Sequence, residues 1–235
     1  MVRESVTKID MRGGLFFLKF ISVICKMIAE KEIELFVAQA HRYSEAKLML
    51  CSSGNLSWRI GDKALVSGTG TWLSALTAGQ VAVCDIGSGK TENSVRPSME
   101  SVFHLGILRE RPEVNVVLHF QSEYATVVAC MQQKPEDFNV TLEVPYRVGE
   151  IAVVPYYRPG SRELAEAVIE AMRAHDAVLM SNHGQVVCGK SFDEVLERAL
   201  FFEMACRIIV QSGGRYEVLG TKDVEDLRKL RFNSR

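Results

Sequence analysis

The 235-residue sequence lacks most of the marks of a specialised chain. Lysine and arginine number 28 against 29 aspartates and glutamates, so no field of one sign exists to recruit nucleic acid. No acidic run suggests a solvating tail. The six cysteines (Cys25, Cys51, Cys84, Cys130, Cys188, Cys206) form no C-x-x-C pair. That points to buried thiols in a reducing, cytoplasmic compartment rather than to a disulfide frame or a thiolate zinc site. Repeats, low-complexity tracts and internal linkers are absent. Long apolar runs are absent too: Leu15 to Cys25 is interrupted by Lys19, is far too short to span a membrane as a helix, and lacks a small-x-small cleavage site. Residues 1–27 therefore read as an extension outside the fold, with Met27 a plausible alternative initiator.

What is present suits one soluble domain with a real core: 47% apolar and 24% charged residues at net charge −1. Residues 28–215 read as that domain and 216–235 as a charged tail carrying a short helix. From Ile28 to Leu50, Ile33, Phe36, Val37, Ala40 and Tyr43 recur at helical spacing. Leu56–Ile60 and Ala64–Ser67 read as a hairpin through Gly61-Asp62, and Val81–Ile86 as a third strand. A helix with Met99, Val102, Phe103, Gly106 and Ile107 on one face ends before Pro112. Tyr124–Met131 follows as a short helix. Val140–Arg147, Ile151–Tyr156, Ala177–Ser181 and Gln185–Cys188 read as strands. Ser161 caps one helix running to about His175, and Ser191-Phe192-Asp193-Glu194 is a capping box opening another to Val210. The pattern is α/β: a single domain with a central, mostly antiparallel sheet flanked by helices on both sides.

The chemistry centres on Val116 to Ser122. As a strand it places Val117, His119 and Gln121 on one face and Val116, Leu118 and Phe120 on the other. His119 and Gln121 then stand about 6.5 Å apart, a spacing that can share a cation. Glu100, in Pro97-Ser98-Met99-Glu100, adds a carboxylate, and Ser181-Asn182-His183-Gly184 adds a second imidazole after an apolar run. Two His, one Glu and an amide suit a divalent metal, with the Gln oxygen the weakest donor of the set. Apolar Met99 and Phe103 are expected to raise the pKa of Glu100. Ser52–Ser57 and Ser67-Gly68-Thr69-Gly70 offer short donors and open backbone N–H groups suited to phosphate. Tyr146, Tyr156 and Tyr157 are available as proton donors. His41, His104 and His175 read as hydrogen-bonded core residues.

In their order and spacing, Ser53-Gly54-Asn55-Leu56-Ser57, Thr69-Gly70, Pro97-Ser98-Met99-Glu100, Arg111-Pro112, Val117-Leu118-His119, Gly160-Ser161-Arg162-Glu163-Leu164 and Asn182-His183-Gly184 resemble the class II aldolase/adducin family, which includes L-fuculose-phosphate aldolase and L-ribulose-phosphate 4-epimerase. The resemblance covers roughly Ile33 to Val210. It implies a sheet of about nine strands, a C4 homotetramer with active sites between subunits, and a zinc-dependent lyase cleaving a sugar phosphate or related hydroxyketone through an enediolate. By the same resemblance Gly54, Asn55, Thr69, Gly70 and Ser98 hold the substrate phosphate, and Glu100 is the acid/base and also touches the metal. His119 and His183 are metal ligands, with Gln121 standing where the family has a third histidine. Tyr146 is lent across the subunit interface. Met99 stands where the family has a serine. The family also contains adducin, a non-catalytic scaffold, and same-fold epimerases and dehydratases, which are the alternatives to an aldolase.

Overall fold

The computed structural model describes residues 30–233; the expected extension at 1–27 lies outside them. Helix α1 occupies residues 30–45 and buries Phe36, Ala40 and Tyr43, the stripe its periodicity announced. Strands β1 (Asn55–Ile60) and β2 (Lys63–Ser67) form the expected hairpin. Its two-residue turn puts Gly61 at φ 61, where a side chain would be strained. β3 (Val81–Asp85), α2 (Ser101–Glu110), β4 (Val116–Phe120), α3 (Glu123–Cys130), β5 (Ile151–Val154), α4 (Arg162–Met172), β6 (Ala177–Met180), β7 (Gly184–Gly189), α5 (Phe192–Gln211) and α6 (Thr221–Asn233) complete the chain.

Seven strands, rather than about nine, form one sheet in the order β3-β2-β1-β4-β7-β6-β5. Every pair is antiparallel except β5 and β6, which run parallel because α4 carries the chain back across the sheet between them. The alternation in β4 sorts the two layers. Val116, Leu118 and Phe120 pack with Phe36 and Tyr43 of α1, Val128 of α3 and Phe202 of α5. Val117 packs on the other face with Phe103 and Ile107 of α2 and Val168 and Met172 of α4. Each such side chain contributes about 1.5–3 kcal/mol by leaving water. Gly106 is needed where these helices meet: a Cβ there would collide with Ile169.

Three expectations of the sequence are corrected. Val140–Arg147 is no strand: Val144–Val148 is a π-helical turn closed by Gly149 N–H donating to Val144 O at 2.8 Å. Pro145 has no N–H for a ladder, and Val144 and Val148, four apart, are both buried. The predicted apolar face of α2 also shifts, since Met99 and Val102 are more than half exposed while Phe103 to Leu108 are buried. The capping box of α5 is half made. Ser191 Oγ accepts from Glu194 N–H at 3.2 Å, but Glu194 Oε2 accepts from Lys190 N–H. The cap of α4 is as expected, with Ser161 Oγ accepting from Leu164 N–H. α6 docks against the π-helical turn region through buried Val224 and the Arg228–Glu150 ion pair at 3.5 Å. Among the described residues no helix is long and apolar enough to cross a membrane.

Candidate metal and active site

β4 lies at the middle of the sheet between β1 and β7, so its backbone is held on both sides. In register Asn55 lies opposite His119 and Ser57 opposite Val117, which puts Asn55, Ser57 and His119 on the face covered by α2. His119 is 1% exposed, and its Nδ1 meets the Gln185 carbonyl at 2.9 Å. That acceptor requires the proton on Nδ1 and turns Nε2 toward the cluster. Nε2 faces Glu100 Oε2 at 3.4 Å.

His183 is presented by the three-residue loop between β6 and β7, with Asn182 at φ 53, a conformation Asn tolerates better than most residues. Gly184 follows because a Cβ there would stand 2.7 Å from Phe120 O and 3.0 Å from His119 Cε1. His183 Nε2 is 3.2 Å from Glu100 Oε1, and the two imidazole centroids are 4.9 Å apart. Glu100 sits in the turn before α2 at φ −96, ψ 4 and is 7% exposed. Its loop is anchored: Ser98 N–H donates to Ser67 O, Glu100 N–H donates to Ser98 Oγ, and Pro97 bridges Gly68.

Glu100, His119 and His183 thus offer ligand atoms that all lie within 4.8 Å of one another. Burial first, then His119, pushes His183 down to about 4 against the pull of Glu100, so it is neutral near pH 7. Glu100 Oε1 and His183 Nδ1, both buried, make no hydrogen bond within the protein. Two imidazoles and a carboxylate brought together out of water fit a divalent cation. The expected rise in the Glu100 pKa is reversed. Burial does raise it, but His119, the Asn55 amide, His183 and His104 outweigh that and hold it below the usual carboxylate range. Met99, over half exposed, supplies little of the expected apolar wall.

Gln121 lies just past β4, with its N–H donating to Leu48 O at 3.1 Å. Its Cγ crowds Gly184 beside His119. It also lines a cavity of about 490 Å³ with Lys47, Met49, Ser53 and Thr126. Of the expected phosphate residues, Gly54 is buried at the start of β1, where a Cβ would meet Met49 Sδ at 2.5 Å. Thr69 and Gly70 are exposed on the loop after β2, tied to the Ser98 loop by Thr69 N–H donating to Arg96 O. The Asn55 amide is turned inward, donating from Nδ2 to Glu100 Oε2 at 3.0 Å. Tyr146 belongs to the π-helical turn, whose Val144 and Val148 pack in the opposite layer, and Arg147 covers its ring at 4.6 Å. Within one chain it is not part of the Glu100 cluster.

His41 and His175 are hydrogen-bonded as expected, to the Leu76 and Ala171 carbonyls, but half-buried rather than in the core. His104 is such a residue with a difference: it is fully buried, and its two nitrogens meet Ser57 Oγ and Asn55 Oδ1. Its position one helical turn after Glu100 was the only signal in the sequence.

The chain is similar to several known proteins. A 3-oxo-tetronate 4-phosphate decarboxylase from Haemophilus influenzae is 31% identical over 85% of this chain and 96% of its own length. An L-fuculose phosphate aldolase from Methanococcus maripaludis is 33% identical over 64% of this chain and 80% of its own. Among solved structures, Escherichia coli YgbL, described as a candidate aldolase/epimerase/decarboxylase, superposes with TM-score 0.80 at 28% identity, covering 86% of this chain and 99% of YgbL. An L-fuculose 1-phosphate aldolase shares the fold with TM-score 0.77 at 23% identity, over 84% of this chain and 94% of its own. Residues 34–210 match the model of the class II aldolase and adducin N-terminal domain, and the chain belongs to that family.

Proposed function

We propose that the chain is a metal-dependent carbon–carbon lyase acting on a sugar phosphate. The observation that carries this reading is the buried convergence of Glu100, His119 and His183. Retention of all three argues against a non-catalytic, adducin-like scaffold. The reaction we favour is decarboxylation of a 3-oxo sugar-acid phosphate, supported by the Haemophilus influenzae relative that this chain matches over 96% of that protein's length. Aldol cleavage of a ketose phosphate is the second reading. It is supported by the Methanococcus maripaludis relative and by a resting Glu100 that is ionised.

Glu100, His119 and His183 would hold the cation, with Gln121 beside them, and zinc suits two imidazoles best. When bound, such a cation supplies a Lewis acid for the substrate carbonyl oxygen. The remaining work falls to the protein's own groups. In aldol cleavage Glu100 takes the hydroxyl proton, the carbon–carbon bond breaks, and Glu100 returns that proton to the enediolate carbon, so no proton is consumed. In decarboxylation CO2 leaves without a base, and Glu100 relays to the same carbon a proton drawn from solvent, so one is consumed. Gly54 at the start of β1, with Thr69, Gly70 and Ser98 on loops tied to one another, would hold the phosphate. In a homotetramer Tyr146 would reach the site of a neighbouring subunit as a proton donor.

The test is to supply 3-oxo-tetronate 4-phosphate and a panel of ketose 1-phosphates to the zinc- or manganese-loaded protein while following CO2 and proton uptake. Release of CO2 with one proton consumed supports the decarboxylase. An aldehyde product without net proton uptake supports the aldolase instead. Turnover of neither substrate class would favour the scaffold.

A further inference from the structure

A buried carboxylate in a cluster of lone pairs needs something to fix which way it points, and the structure assigns that task to residues outside the cluster. Three contacts run in line: Ser57 Oγ to His104 Nδ1 at 2.8 Å, His104 Nε2 to Asn55 Oδ1 at 2.5 Å, and Asn55 Nδ2 to Glu100 Oε2 at 3.0 Å. Ser57 and His104 are fully buried and Asn55 is 7% exposed, so water does not compete.

The donors can be assigned by elimination. An ionised carboxylate only accepts, so Asn55 must turn its N–H toward Glu100 and its oxygen toward His104. That oxygen only accepts, so His104 must carry its proton on Nε2, and Nδ1 must accept from the Ser57 hydroxyl. Burial pushes His104 down to about 3, which agrees with a single, neutral tautomer. Phe103 stacks on the imidazole at a centroid distance of 4.8 Å. β1 supplies Ser57 and Asn55, while α2 supplies His104 one turn beyond Glu100.

We propose that His104 is a positioning residue: with Ser57 it locks the Asn55 amide in the one orientation that presents an N–H to Glu100 Oε2, and so aims Oε1 at the metal position and the substrate. The chain of bonds runs in one direction, each donor polarised by the one before it. The proposal rests on the reading of Glu100 as a site residue, but its first test does not depend on metal or substrate. Imidazole nitrogen NMR of the full chain should show His104 as the neutral Nε2–H tautomer with a slowly exchanging proton. The Nδ1–H tautomer would overturn the proposal.

The second test compares His104→Gln, which keeps a donor near the Nε2 position, with His104→Phe, which keeps the ring and loses the donor. Outer-shell partners of a metal site are typically worth 10- to 100-fold. His104→Phe should therefore bind Zn²⁺ roughly 10-fold more weakly by titration and lose roughly 10- to 100-fold in kcat with KM changed by less than about threefold. His104→Gln should stay within about threefold of the parent in both. Ser57→Ala, a milder change in the same chain, should fall between them. Equal losses in the Gln and Phe variants, or a folded Phe variant with unchanged zinc affinity, would sink the idea. If the parent turns over no substrate, the proposed reaction fails, while the tautomer and zinc affinities still decide the role of His104.

Discussion

Among the described residues, the charges around Arg198 and those around Glu100 form buried clusters that are finished differently. In the first, Arg198 is 1% exposed and all of its nitrogens are engaged. Nε donates to Arg147 O, Nη1 to Cys188 O, and Nη2 meets both Glu194 and Asp176. Arg111 completes the group through Glu113, Asp176 and the Met172 and His175 carbonyls. It ties the end of α2 to α4, β7 and α5. In the second, Glu100 Oε1 and His183 Nδ1 have no hydrogen bond. Saturation marks a cluster that holds the fold together; buried polar atoms without a hydrogen bond mark one arranged for something else.

The contrast can be broken from either side. The largest effect is expected for Arg198→Met, which removes the buried cation facing Glu194 and one of the two that face Asp176. Denaturant unfolding should show a loss of about 3–5 kcal/mol, with zinc stoichiometry retained in the fraction that folds. Glu100→Gln should do the reverse, lowering kcat by roughly 10²- to 10⁴-fold while the metal-free protein stays as stable as the parent. Wild-type turnover in that variant would remove Glu100 from the proton-transfer role.

Acid offers a graded test. His104 is held near 3 against an ordinary value of 6.5, so between those values the unfolded chain binds a proton that the folded chain refuses. Stability should therefore fall as pH drops below about 6.5, by about 1.4 kcal/mol per unit from this one group. His104→Gln should show a shallower decline in unfolding free energy measured from pH 6.5 to 4.5. The smallest effect is expected for Gln121→His, which adds an imidazole beside the cluster. Titration calorimetry should show zinc bound roughly 10-fold more tightly, about 1.4 kcal/mol, with little change in thermal stability.

Much of this was legible in residue order. Alternation over Val116–Gln121 placed His119 on the face away from Leu118 and Phe120, and the two layers divide as that pattern demands. Asn182-His183-Gly184 was recognisable as an imidazole after an apolar run and as one of the motifs of the family, although the need for glycine at 184 comes from Phe120 and His119 on the neighbouring strand. The segment before Gly149 was misread, since valines four apart near a proline satisfy both a broken alternation and a helical turn. The partnership of His104 with Asn55 was invisible, because 49 residues separate them and only the packing of α2 on β1 joins them.

Period, cap and turn chemistry, all set within a few neighbouring residues, determined the elements of this protein and the residue types available to a metal. Which ligand atoms face each other, which carboxylate oxygen makes no hydrogen bond, and whether burial or neighbouring charge wins at Glu100 were decided only by the tertiary structure. Those outcomes depend on distances of 3–4 Å between chain segments far apart in sequence, at which electrostatic interactions in a desolvated interior are strong enough to reverse a local expectation.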